Sequence, residues 1–181
     1  MIYVFLAEGF EECEALVTVD ILKRAGYEVK TVAVGKSLTV VGTHNIPVIA
    51  DIHESEIDNA IIPTAVILPG GMPGTLNLDA SEVVHKMLKL SSNAESLICA
   101  ICAAPSILGK AGYLQGKRAT CFPGFESELH GAIFTDERVV VDGNIITSKA
   151  MGCASEFALA IIEKLTGKVR ADEVARSAFI Y

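Results

Sequence analysis

Residues 96–105 read S-L-I-C-A-I-C-A-A-P. The first six are mostly apolar and do not alternate with polar residues, as expected of a strand buried on both faces. Pro105 suits the first turn of a helix. A buried strand that runs into a helix through one residue, Cys102, predicts a parallel α/β sheet with Cys102 at a strand's carboxyl end. Doubly wound sheets place their sites at that edge.

The flanking chain repeats the alternation. A strand is expected over residues 2–7 (IYVFLA) and a helix over about Glu11 to Ala25, with Ala15, Val19 and Leu22 on one face. Gly26 stops that helix, and a strand, YEVKTVAV, follows over 27–34. Residues 38–50 read as two short strands around Gly42 to Asn45, a hairpin at the sheet edge. TAVIL ends at Leu68 and meets Pro69-Gly70-Gly71, and a helix follows over Glu82 to Leu90. After Gly116 come a strand KRATCF, a short helix near Glu126 to His130, and a hairpin RVVVD/NIITS turning at Asp142-Gly143-Asn144. A helix over Ser155 to Leu165 and a last short helix complete a chain read as one domain, 1–181. Strand–helix alternation implies crossover connections and a mostly parallel sheet.

The 181 residues are 51% hydrophobic but only 6% aromatic, without Trp, so the core is aliphatic. The net charge of -7 repels phosphate backbones and argues against a nucleic-acid partner. The five cysteines and the lack of a basic region before the first apolar run point to reduced thiols in the cytoplasm. The longest apolar stretch contains Pro105 and falls short of the ~20 residues a membrane span needs.

Cys102 has the setting of a nucleophile elbow, with small residues, Ala100 and Ala104, two positions to either side. The helix that follows is expected to lower its thiol pKa. A buried structural cysteine is the alternative. Cys99 and Cys102 form C-x-x-C, but three residues of strand span ~10 Å, beyond the ~7 Å that a disulfide tolerates between Cα atoms. The pattern also lacks a second half for a metal site. The Gly71 and Ala103 amides are candidates for an oxyanion hole, although Pro69-Gly70-Gly71 is also an ordinary tight turn. Glu8, Glu11, Glu12 and Glu14 crowd the start of the first helix, where acids complement the helix dipole. A buried one beside a thiol would hold its proton. His44, His53, His85 and His130 are not placed beside Cys102 by spacing.

The segments A-E-G-F-E-E-C-E (7–14), V-D-I-L-K-R-A-G (19–26), V-I-L-P-G-G (66–71), A-I-C-A-A-P (100–105) and E-F-A-L-A-I-I-E-K-L-T-G (156–167) resemble the ThiJ/PfpI family, in its parkinsonism-associated protein deglycase branch. The resemblance implies a flavodoxin-like three-layer sandwich and a homodimer with Arg24 near the interface. It implies Cys102 as the reactive cysteine, oxidisable to sulfinate, with Glu14 as its protonated partner and Gly71 and Ala103 as oxyanion-binding amides. Two positions depart from relatives. Phe122 stands where the nearest branch has a histidine, and Ala103 stands where the protease-like branch has one. The second departure argues against a peptidase, and the His-x-Glu of amidotransferase relatives is absent.

The implied activity is glyoxalase or deglycase chemistry on methylglyoxal-type dicarbonyls or glycated thiols and amines in the stress response, without metal or organic cofactor. The alternative is a redox sensor or chaperone with little turnover. A role in thiamine metabolism carries little weight without a phosphate-binding motif.

Overall fold

The computed structural model describes residues 1–58 and 60–181. Its strands are β1 (Ile2–Ala7), β2 (Val29–Val34), β3 (Thr39–Val41), β4 (Pro47–Ile49), β5 (Ile52–His53), β6 (Ala65–Leu68), β7 (Leu97–Ile101), β8 (Arg118–Ala119), β9 (Ile133–Phe134), β10 (Val139–Asp142) and β11 (Ile145–Ser148). Its helices are α1 (Glu12–Arg24), α2 (Gly74–Asp79), α3 (Glu82–Asn93), α4 (Pro105–Lys110), α5 (Ala154–Thr166) and α6 (Lys168–Ser177).

Seven strands form the main sheet in the order β10-β11-β7-β6-β1-β2-β5. Its pairings are parallel except β10 with β11. The central strands β1, β6 and β7 are buried along their whole length, so alternate residues feed two cores. On one face Val4, Leu6, Ile67 and Cys99 pack with Leu22 of α1 and Phe157 of α5. On the other, Phe5, Val66, Leu68 and Ile98 pack with Val84 and Leu88 of α3 and Ile107 of α4. The result is the three-layer, flavodoxin-like sandwich. Each fully buried Leu or Phe contributes roughly 1.5–3 kcal/mol. Among the described residues no helix is long and apolar enough to cross a membrane.

Helix α1 begins where the acids crowd. Glu11 is its N-cap, with Oε2 accepting from the Glu14 amide at 2.6 Å. Lys23 and Arg24 lie in the last turn, matching the helix dipole at the other end.

Four details differ from the sequence reading. The hairpin over 38–50 forms, but β3 and β4 make a separate two-stranded sheet, and β5 takes the edge position. KRATCF contributes only Arg118–Ala119, because Thr120 N donates to Thr147 Oγ1 (2.9 Å) and Phe122 N to the Cys102 carbonyl (2.8 Å). Those bonds draw its backbone out of any ladder. The helix near Glu126 to His130 is a single 3-10 turn, Glu126–Glu128, and α2 was not anticipated.

Candidate active site

The chain leaves β1, β6 and β7 at the same edge of the sheet, and these three exits meet. Cys102, the first residue after β7, has φ +65°. That conformation is strained for a residue with a side chain, at a cost of order 1–3 kcal/mol. Neighbours hold it there: Cys102 N donates to the Ser148 carbonyl at 2.9 Å and its own carbonyl accepts from Phe122. Ala100 and Ala104 are fully buried, as an elbow requires.

Gly70 and Gly71 supply the wall opposite. A Cβ on Gly70 would stand 2.7 Å from Cys102 Cβ and 2.8 Å from Glu14 Oε2, so only glycine fits. Gly71 has φ +91°, and a Cβ there would meet the Glu11 amide nitrogen at 2.4 Å. This close approach lets Gly70 N donate to Glu14 Oε2 at 2.8 Å.

Glu14 is 1% exposed, and its Oε1 has no conventional hydrogen-bond partner among the described residues. The carboxyl and Cys102 both face Gly70, and the thiol favours the carboxyl's ionised form. Burial pushes the Glu14 pKa up to about 7, against the opposing pull of Cys102 and the Gly70 amide. Burial likewise pushes the Cys102 thiol well up, and the charge of Glu14 adds to this, while the Ala103 and Gly71 amides favour the anion. The expected lowering of the Cys102 pKa by the following helix is therefore not found. Helix α4 has only six residues, too short a dipole to outweigh burial and an adjacent carboxyl. Thiol and carboxyl instead form a pair that readily holds one proton between them.

The four residues singled out for chemistry, Cys102, Glu14, Gly71 and Ala103, thus lie together. Arg24 does not join them: it is on the surface at the far end of α1, paired with Asp20 at 2.6 Å. Phe122 sits beside the elbow through its amide. Cys99 is buried in the core, and all five cysteines are free.

Sequence reasoning missed His44. Its amide donates to Glu12 Oε1 and its Nδ1 meets Oε2, both at 2.8 Å, tying the β3–β4 turn to the start of α1. Burial pushes the buried Glu12 carboxyl up, but His44 outweighs it and holds the pKa below the ordinary value. A buried acid calls for a partner, and that was the available signal; which residue answers, 32 positions on, was not legible. Glu11, Glu12 and His44 bring ligand-type atoms within 4.8 Å of one another. Both Glu12 oxygens serve His44 and Glu11 Oε2 caps the helix, so the group is already internally bonded.

Fold and site together define a flavodoxin-like α/β protein with a cysteine on a strained strand-to-helix turn and a buried carboxyl against it. The chain belongs to the DJ-1/PfpI family, whose model matches residues 1–164. It is 37% identical over 180 residues to Protein DJ-1 homolog B of Arabidopsis thaliana, covering 99% of this chain but only 41% of that protein. It is 35% identical over 179 residues to Protein dj-1beta of Drosophila melanogaster, covering 98% of this chain and 95% of the relative. A Caenorhabditis elegans relative, 32% identical over 171 residues (93% of this chain, 90% of the relative), is named glutathione-independent glyoxalase DJR-1.2. The crystal structure of a DJ-1 superfamily protein from Salmonella typhimurium superposes with a TM-score of 0.93 at 38% identity, over 98% of this chain and 97% of that one.

Proposed function

We propose that the protein is a cysteine-dependent, cofactor-independent enzyme of glyoxalase or deglycase type, acting on 2-oxoaldehydes such as methylglyoxal or on their thiol and amine adducts. The observation that carries the reading is the Glu14 carboxyl, buried and near neutrality in pKa, against the Cys102 thiol on a strained turn. The glyoxalase name of the nematode relative supports the substrate class.

Cys102 Sγ adds to the aldehyde carbon, and the thiol proton passes through Glu14 to the aldehyde oxygen. The Gly71 and Ala103 amides stabilise that oxygen while it carries charge. Glu14, now a carboxylate, removes the hydrogen on that carbon as a proton and returns it to the neighbouring carbonyl carbon. The electron pair left behind moves through an enediol, the hydroxyl proton on the former aldehyde oxygen passes to the neighbouring oxygen, and the product is a thioester of a 2-hydroxy acid. Water cleaves the thioester, releasing the acid and restoring the thiol. The sum is 2-oxoaldehyde plus water to 2-hydroxy acid. A group with a pKa near 7 can both give and take the proton.

Lactate formation from methylglyoxal is expected for the wild-type protein and is expected to fall at least a hundredfold, to about background, in Cys102→Ser. Equal lactate formation by both would overturn the reading.

A second reading, a redox sensor in the oxidative stress response, draws on Cys102 being partly exposed on the strained turn beside Glu14, where Cys99, Cys121 and Cys153 are buried and the exposed Cys13 lies on α1. Limiting peroxide should convert Cys102 to sulfinate before the other four cysteines, as read by peptide mass spectrometry; equal oxidation at Cys99 or Cys121 would remove this reading. With either role we place the protein in the cytoplasm as a homodimer, with α1 and Arg24 at the interface.

A further inference from the structure

We infer that the surroundings of Cys102 select 2-oxoaldehydes bearing an apolar alkyl or aryl group over glyoxal and over hydroxylated, sugar-derived adducts. This rests on the function proposed above and narrows its substrate.

The strands β6, β7 and β11 are neighbours and parallel, so their exits share one edge. Met72 directly follows Gly71 on the β6 exit. Met151 lies three residues beyond Ser148, whose carbonyl holds the Cys102 amide. Phe122 is fixed to the Cys102 carbonyl by its own amide. Each of these large apolar side chains is left in solvent: Met72 is 44% exposed, Phe122 43% and Met151 52%. Covering such surface by a substrate gains about 25 cal/mol per Å², and methionine adapts its shape to what it meets.

Three charged side chains of the surrounding segments are already engaged. Glu11 caps α1, Glu12 is bonded to His44, and Lys149, beside Ser148, is paired with Asp136. A substrate hydroxyl facing Phe122 and the methionines would lose water against apolar surface, whereas a phenyl or alkyl group would gain contact with them.

The test compares kcat/KM for phenylglyoxal, methylglyoxal and glyoxal, following mandelate, lactate and glycolate, in wild type, Phe122→Ala and Met72→Gln. The wild-type protein should favour phenylglyoxal over glyoxal by about tenfold or more. Each substitution should cut that ratio about fivefold, mainly through KM for phenylglyoxal. A ratio near one in wild type, or one unmoved by both substitutions, overturns the selectivity and leaves the proposed activity standing. Absence of Cys102-dependent turnover with every substrate overturns the proposed activity. The selectivity is then decided separately by the rate of Cys102 alkylation with N-phenylmaleimide against N-methylmaleimide. A phenyl preference that Phe122→Ala abolishes upholds the apolar site, and equal rates overturn it.

Discussion

Glu14 carries the most information of any single residue. Its folded pKa of about 7 stands above the ordinary 4.5, so the protonated form favours the folded state. That contribution is complete below pH 4.5 and is lost as the pH rises through 7. At roughly 1.4 kcal/mol per unit the total is about 3–4 kcal/mol. Urea unfolding of wild type and Glu14→Gln at several pH values should show the wild type losing ground across that window. A constant difference between the two would remove the raised pKa. Legibility at this scale follows distance along the chain. Cys102 and Ala103 announce themselves through a contiguous strand, small flanking residues and a proline. Choosing Glu14 among four acids took the resemblance, because the choice depends on which turn of α1 faces the β6 exit. His44 was beyond reach, since its partnership with Glu12 exists only once the β3–β4 turn folds back.

Elements were legible where periodicity and caps agreed. Helix α1 matched within one residue at each end because Glu11 caps it and Gly26 follows. Helix α3 starts at Ser81, whose Oγ accepts from Val84 N at 3.3 Å and donates to Glu54 Oε2 at 3.1 Å. Ser81→Ala should therefore cost about 1 kcal/mol, seen as a lower urea midpoint with unchanged slope. A shift below a few tenths of a kcal/mol would show that solvent replaces the cap. Residues 117–122 misled because their β-rich composition is spent on two bonds to other segments, Thr120 to Thr147 and Phe122 to Cys102. Short strands whose pairing is settled by tertiary bonds leave no periodic trace.

At the scale of the whole molecule, the outer side of α1 and the C-terminal segment form a groove of about 530 Å³ lined by Leu16, Val17, Arg24 and Phe179. Phe179 is 93% exposed, an apolar surface of the kind that association covers. Sedimentation equilibrium should therefore return about twice the 19.2 kDa chain mass, with Leu16→Glu shifting it toward the monomer. A wild-type monomer at micromolar concentration would overturn the homodimer. The mostly parallel sheet was legible because parallel sheets bury whole strands, and β1, β6 and β7 read as unbroken apolar runs; the strand order was not.

The order of those three strands has a consequence for the protein's birth. During synthesis Glu14 is made long before Gly70 and Cys102, the two residues that later enclose it. Until β6 and β7 join β1, its carboxylate is hydrated and charged like any other. Closure of the sheet around it raises the carboxyl's pKa to about 7, so at neutral pH folding takes up part of a proton from solvent. Maturation of the site is thus coupled to an acid–base reaction, and the extent of that proton uptake depends on the pH at which the chain folds.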